Sequence, residues 1–152
     1  MKKILYVDMD NVLVDFPSAF PLLSEETLIE YEDRLDEVPH IFSLMQPMPN
    51  AIESFNELSE LFDTYVLSTS PWGNETAWSD KLKWIKKYLS ETAYKRLILS
   101  HHKHLNVGDF LIDDRLKNGA DKFKGEHICF GTNEFPDWVS VLSYLKSKHQ
   151  NI

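Results

Sequence analysis

The side chains with most chemical potential in this sequence are two aspartates one position apart, Asp8 and Asp10, at the end of the apolar run Ile4-Leu5-Tyr6-Val7. On an extended strand side chains alternate with period two, so these carboxylates would point the same way. Held close they repel, and the pair needs a cation, a shared proton or a division of labour. In the last case one is an ionised nucleophile or metal ligand and the other carries a proton. Asp at a strand end also serves as a turn residue or helix cap, so the later residues decide. Three more polar clusters follow: Ser68-Thr69-Ser70-Pro71, Ser100-His101-His102-Lys103-His104 and Asp113-Asp114-Arg115.

Each cluster comes directly after a short apolar run: Tyr65-Val66-Leu67, Leu97-Ile98-Leu99 and Phe110-Leu111-Ile112. Such runs read as strands buried on both faces of a parallel sheet. Ile128-Cys129-Phe130 gives a fifth. Between them lie helical patterns. Asn50 stands where a cap would precede Ile52, Phe55, Leu58 and Phe62. Trp78, Leu82, Ile85 and Leu89 form one face of the next helix, with Lys81, Lys83, Lys86 and Lys87 read as its solvated side. A brief helix precedes the fifth strand, and Trp138, Val141, Leu142 and Leu145 mark a closing helix. Alternating strands and helices predict a three-layer, Rossmann-like α/β fold with right-handed crossovers, whose ligands bind beyond the carboxyl ends of the strands. All four polar clusters fall there.

Residues 16–48 interrupt the alternation. Ser24 is placed to cap a helix with acids in its first turn, continued by Leu28, Tyr31 and Leu35, and Pro39, Pro47 and Pro49 then punctuate a loop around Ile41-Phe42-Ser43-Leu44-Met45. The stretch reads as a small cap inserted over one end of the sheet, with residues 1–15 and 49–152 forming the core. An ordinary crossover helix with a long loop fits it equally.

At 152 residues the chain suits one domain. A formal net charge of -8 excludes a general nucleic-acid-binding surface, which would be basic, but leaves room for a small anionic substrate at a locally positive site. Cys129 is the only cysteine, so no internal disulfide forms and a reducing compartment fits. With no signal-peptide pattern and no apolar stretch long enough to span a membrane, the expected location is cytoplasmic.

Several carboxylates at one sheet edge make a hard-oxygen site suited to magnesium, which prefers a few carboxylates plus substrate phosphate. A hydroxyl can then hydrogen-bond a phosphoryl oxygen and a lysine can neutralise it. Carboxylate attack on phosphorus would give an aspartyl-phosphate, and the second carboxylate would protonate the leaving oxygen and later deprotonate water. His101, His102 and His104 read as loop residues without a catalytic role.

Asp8-Met9-Asp10-Asn11-Val12-Leu13 resembles the first motif of the haloacid dehalogenase superfamily, and Thr69, Lys103 and Asp113-Asp114 follow in the order of its other three. With Val14-Asp15-Phe16, Ser68-Thr69-Ser70-Pro71 and Leu111-Ile112-Asp113-Asp114-Arg115, the sequence is similar more narrowly to the 5'(3')-deoxyribonucleotidase family. The resemblance covers residues 3–115 and is weakest in the insertion. It implies a magnesium-dependent phosphomonoesterase acting on nucleoside monophosphates. Asp8 would be nucleophile and metal ligand. Asp10 would be the general acid/base with its backbone carbonyl on the metal. Thr69, Ser70 and Lys103 would hold the phosphoryl group, and Asp114 would complete the metal ligands, with Asp113 supporting it or pairing with Lys103. Phe16, Phe42 and Trp72 would wall the nucleoside pocket.

The sequence departs from the family pattern at Asn11, where Gly is common, at Gly73 and His101, where basic residues are common, and in its shorter insertion. Asn also tolerates a left-handed backbone. Two other classes fit parts of the pattern: a phosphatase of another small metabolite, and a non-enzymatic module, either a phosphoacceptor or a nucleotide binder. A phosphoacceptor domain normally carries its acceptor on a middle strand, and the order of acids here disfavours it.

Overall fold

The computed structural model describes residues 1–150. Five strands, β1 (Ile4–Val7), β4 (Asp63–Ser68), β5 (Leu97–Leu99), β6 (Phe110–Asp113) and β7 (Glu126–Cys129), form one all-parallel sheet in the order β5-β4-β1-β6-β7. β1 is central because its residues are apolar on both faces. Leu5 and Val7 join the larger core with Phe55, Leu58, Trp138 and Val141, while Tyr6 packs on the other face with Leu67, Leu111, Ala120 and Phe123. The first core takes in α2 (Ala51–Leu61), α3 (Thr76–Tyr88) and α4 (Trp138–Gln150). The second is covered by short 3-10 turns, so the third layer is thin. The chain runs outward from β1 through β4 to β5, then crosses back to β6 on β1's other side. The topological switch point therefore lies between β1 and β6, the place where open α/β sheets bind ligands.

The stretch after β1 departs from the core through a two-stranded antiparallel stem, β2 (Val14–Asp15) against β3 (Gln46–Pro47), which the sequence pattern did not suggest. Between the stem strands lie 3-10 turns and one short helix, α1 (Glu25–Glu30), capped by the Ser24 hydroxyl, which accepts from Thr27 N at 3.2 Å. The helix is shorter than its apolar spacing predicts: Tyr31 closes it, and Leu35 belongs to a separate turn. Ala19, Val38, Ile41, Phe42 and Met45 of this segment join the main core.

Two other expectations are corrected. Asn50 does not cap α2 with its side chain; it turns the backbone into the helix at φ 65°. In α3 the inward residues are Ala77, Asp80, Lys81, Trp84 and Ile85, while Trp78 and Leu82 face a surface groove. Among the described residues no helix is long and apolar enough to cross a membrane.

Candidate active site

The loop after β1 is built by backbone hydrogen bonds converging on one carbonyl. Met9 O accepts from Val12 N, Leu13 N and Val14 N at 3.1, 2.9 and 2.9 Å. Asn11 sits at φ 60°, the left-handed turn that a short polar side chain tolerates. The loop is pinned from outside by Trp138 Nε1, which donates to Val12 O at 2.7 Å, and by Met48 N, which donates to Leu13 O at 2.8 Å. Asp8 N donates to Ile112 O at 2.9 Å, tying the first aspartate to the end of β6.

That tie brings residues distant in sequence together. Carboxylate oxygens of Asp8, Asp113 and Asp114 all lie within 4.8 Å of one another. Lys103 is buried beside them, with Nζ donating to Asp8 Oδ1 at 3.1 Å and to Asp113 Oδ2 at 2.6 Å. Asp113 is thereby occupied, since its other oxygen accepts from Arg115 N at 3.0 Å. Asp114 Oδ1, by contrast, is buried without a partner. Burial pushes the Asp8 carboxyl up to about 7 in spite of the Lys103 ammonium, and the Asp113 and Asp10 charges add to the rise. Burial and the Asp8 charge likewise push Asp114 up to about 6, with Arg115 opposing. Burial works against the Lys103 charge, yet Asp8 and Asp113 hold its pKa above the usual lysine value. Three acids facing one ammonium leave excess negative charge in a poorly hydrated place. A divalent cation with hard-oxygen preference fits that deficit and the orphaned Asp114 oxygen.

Lys103 is placed by its own local fold. Its backbone N donates to Asn118 O at 2.8 Å, across a turn in which Asn118 and Gly119 take φ 54° and 84°. A Cβ on Gly119 would collide with the His104 ring and come within 3.0 Å of Lys103 N. Only glycine suits that position.

Asp10 points elsewhere, toward a lysine that the sequence pattern assigns to solvent. Lys81 is fully buried (0% exposed), and its Nζ donates to Asp10 Oδ2 at 3.1 Å, Ser68 Oγ at 2.8 Å and Thr69 O at 2.7 Å. All three ammonium protons are used. The expectation of a wholly solvated lysine face is therefore wrong at this one position. The signal was present: Ala77, Lys81, Trp84 and Ile85 fall at helical spacing, and Lys81 breaks an otherwise apolar stripe. Asp10 Oδ1 remains buried and unpartnered.

The remaining expected residues are brought to the same cavity, of about 690 Å³, or left out of it. Asp10, Asp114, Thr69, Ser70, Phe16 and Trp72 line it. Ser70 is buried and its hydroxyl has no partner, whereas the Thr69 hydroxyl donates to Ser100 O at 2.7 Å. Phe42 does not line it. It is buried, its ring 5.9 Å from that of Phe16 and 4.7 Å from Lys81 Nζ, so it supports the wall from behind. Trp72 stands 84% exposed at the rim, edge-on to Trp78 and His101 at 6.5 and 5.9 Å between ring centroids. Sequence reasoning also missed Glu32, Asp33 and Asp36, which give the cavity an acidic outer wall, and Arg115 and Lys117, which give it a basic side. A larger apolar groove of about 760 Å³ between α3 and β5 contains none of the clustered acids.

The chain is similar to known proteins in both sequence and fold. The family described as "5' nucleotidase, deoxy (Pyrimidine), cytosolic type C protein" matches residues 24–137. A Vibrio phage KVP40 protein with a provisional 5'(3')-deoxyribonucleotidase name is 58% identical, over 98% of this chain and 88% of its own length. The human cytosolic-type 5'(3')-deoxyribonucleotidase is 28% identical, over 90% of this chain and 77% of its own. In fold, the chain is similar to the HAD-hydrolase-type protein YfnB of Bacillus subtilis, solved bound to magnesium. That likeness has a TM-score of 0.62 at 13% identity and covers 99% of each chain. The chain belongs to the 5'(3')-deoxyribonucleotidase family of phosphoric monoester hydrolases, and its fold is like that of HAD-type hydrolases.

Proposed function

We propose that the protein is a magnesium-dependent phosphomonoesterase that dephosphorylates nucleoside monophosphates through an aspartyl-phosphate on Asp8. The observation that carries the reading is the gathering of Asp8, Lys103, Asp113 and Asp114 at the switch point, with Asp10 one turn of loop away. Asp8, Asp114 and the Asp10 backbone carbonyl would hold magnesium, which when bound supplies positive charge against the nucleophile and the phosphoryl oxygens.

The chain's own groups account for the remaining work. Lys103 holds Asp8 Oδ1, leaving Asp8 Oδ2 to attack phosphorus. The bond from phosphorus to the ester oxygen breaks, and Asp10 gives its proton to that oxygen. Asp10 then takes a proton from water, whose oxygen attacks the same phosphorus and releases phosphate, restoring the Asp8 carboxylate. Lys81 fixes Asp10 through Oδ2, so Oδ1 is the oxygen left to carry the proton. The unpartnered Ser70 hydroxyl is the donor for a phosphoryl oxygen. Phe16 and Trp72 provide apolar surface for the nucleoside. Residues 16–48 act as the cap, and the lone Cys129 fits a reducing, cytoplasmic setting.

Assay of the purified protein with magnesium against a panel of nucleoside monophosphates and sugar phosphates tests the reading. Release of phosphate from nucleotides, abolished in Asp8→Asn with the fold retained by circular dichroism, is expected. Turnover confined to sugar phosphates would overturn the substrate class, and wild-type turnover by Asp8→Asn would overturn the nucleophile.

A further inference from the structure

The segment carrying the acidic wall is fastened to the phosphate-binding loop through one side chain. Asn74 lies four residues after Ser70, in a turn closed by its own N donating to Pro71 O at 3.1 Å, and is 3% exposed. Its Nδ2 donates to Asp36 O and to Val38 O, both at 3.0 Å. Its Oδ1 accepts from Thr76 N at 3.1 Å and from Thr76 Oγ1 at 2.6 Å. All four hydrogen-bonding positions of the amide are filled, two on each side of the junction. The reverse orientation of the amide would set its oxygen against two carbonyls. The fastening extends outward: Thr76 Oγ1 accepts from His40 N at 2.8 Å, and His40 Nδ1 lies 3.0 Å from the buried Asp80 Oδ2. Asp80 precedes Lys81, the residue holding Asp10. At Gly73 a Cβ would come within 2.6 Å of Glu37 Oε1, so the two segments already touch.

We propose that Asn74 is a positioning residue for substrate selectivity: it holds the wall that includes Asp36 at a fixed distance from the Ser70 phosphate subsite, so that the nucleoside is measured against the phosphate. This rests on the nucleotidase reading above. It makes the cap of this protein a fixed wall, with the substrate entering through the open rim at Trp72 and not by the cap swinging away. The chemistry recognised is a phosphomonoester whose leaving group is large enough to reach that wall. A small aryl phosphate uses the phosphate subsite alone.

The test compares a nucleoside monophosphate with p-nitrophenyl phosphate in wild type, Asn74→Ala and Thr76→Val, and follows amide hydrogen exchange over residues 36–40. The expected result is a KM for the nucleotide raised roughly tenfold in both variants, with p-nitrophenyl phosphate kcat/KM within about twofold of wild type. Exchange at residues 36–40 quickens while the amides of β1 and β4 keep their protection. A merely structural Asn74 would lower both substrates together, and that outcome, or an unchanged nucleotide KM, overturns the proposal. So does unchanged exchange at residues 36–40. If Asn74→Ala does not fold, Thr76→Val carries the same comparison, since it removes the acceptor for His40 N and the hydroxyl donor to Asn74. Wild-type turnover of p-nitrophenyl phosphate without any nucleotide would overturn the nucleotidase reading, and the exchange measurement would still decide the fastening by itself.

Discussion

Lys81 Nζ lies 3.1 Å from Asp10 Oδ2 and spends its other two protons on Ser68 Oγ and Thr69 O. One buried ammonium thus joins the proposed acid/base to the strand end proposed to bind phosphate. In Lys81→Met the carboxylate loses the one side-chain partner it has among the described residues, and Ser68 Oγ and Thr69 O lose this donor. Removing one member of a buried pair costs about 3–5 kcal/mol, less here because Asp10 keeps some contact with solvent. Turnover should fall by roughly 100-fold or more, as proton transfer by a positioned group contributes on that scale, with a smaller change in KM. Lys81→Arg should not restore it, because a planar fork does not fill a three-acceptor pocket. Steady-state kinetics beside urea denaturation checks this, and a Lys81→Met variant with wild-type kcat would remove the lysine from the mechanism.

The raised acids predict how metal and pH interact. Asp8 at about 7 and Asp114 at about 6 keep protons in the folded, metal-free protein at pH values where the unfolded chain has lost them. Their stabilising contribution is complete below the unfolded carboxylate range and disappears as pH rises through the folded values. Chelator-treated protein should therefore lose thermal stability from this site between about pH 5 and about pH 8. Millimolar magnesium should raise the melting temperature by several degrees at the higher pH and by much less at the lower, where protons compete for the same oxygens. Melts with and without magnesium at the two pH values decide it. An equal magnesium shift at both would separate the metal from these acids.

What could be read from the sequence follows from which forces act locally. β1, β4 and β6 carry apolar runs because the middle of a parallel sheet is buried on both faces, and the polar residues that follow the runs of β1, β4, β5 and β6 mark the carboxyl edge where the site forms. Asp8, Lys103 and Asp113-Asp114 were legible for that reason. Lys81 was harder to read: it falls in the stripe of Ala77, Trp84 and Ile85, but four lysines in seven residues suggest solvent, and its partner Asp10 comes from a distant part of the chain. The early end of α1 was hidden likewise: Leu28, Tyr31 and Leu35 keep helical spacing, but Leu35 and Val38 are drawn into turns that Asn74 holds from another part of the chain. Phe42 carried the right chemistry for a pocket wall, and only packing shows that Phe16 stands in front of it.

Gly119→Ala should damage catalysis from outside the cavity. The position needs φ 84°, and its Cβ would press on His104 and on the Lys103 backbone. Strain of this kind costs of order 1–3 kcal/mol. Relief of the clash must move the turn that carries Lys103, so kcat should fall roughly tenfold or more as the ammonium leaves Asp8. Asn118→Gly, which relaxes the neighbouring φ of 54° without adding an atom, should leave turnover near wild type. Equal activity in Gly119→Ala and wild type would show that Lys103 does not depend on this turn.

Trp138 offers a separate test of how the loop carrying the proposed nucleophile is held, because α4 contributes no residue to the lining of the cavity. Its indole Nε1 donates to Val12 O at 2.7 Å, and the ring is fully buried against Phe130. Trp138→Phe keeps most of the apolar volume and removes the donor, stranding a buried carbonyl at a cost of about 1–3 kcal/mol. The smaller ring also leaves a void, which adds to that cost. The loss should appear as a lower urea midpoint with an unchanged slope, since the same surface is exposed on unfolding. Because Val12 O belongs to the turn built on Met9 O, magnesium should recover part of the stability by holding Asp8 and the Asp10 carbonyl directly. Trp138→Phe should therefore show a larger magnesium-induced rise in midpoint than wild type. An identical rise in both would mean that the indole bond steadies α4 alone and that the loop keeps its shape without it.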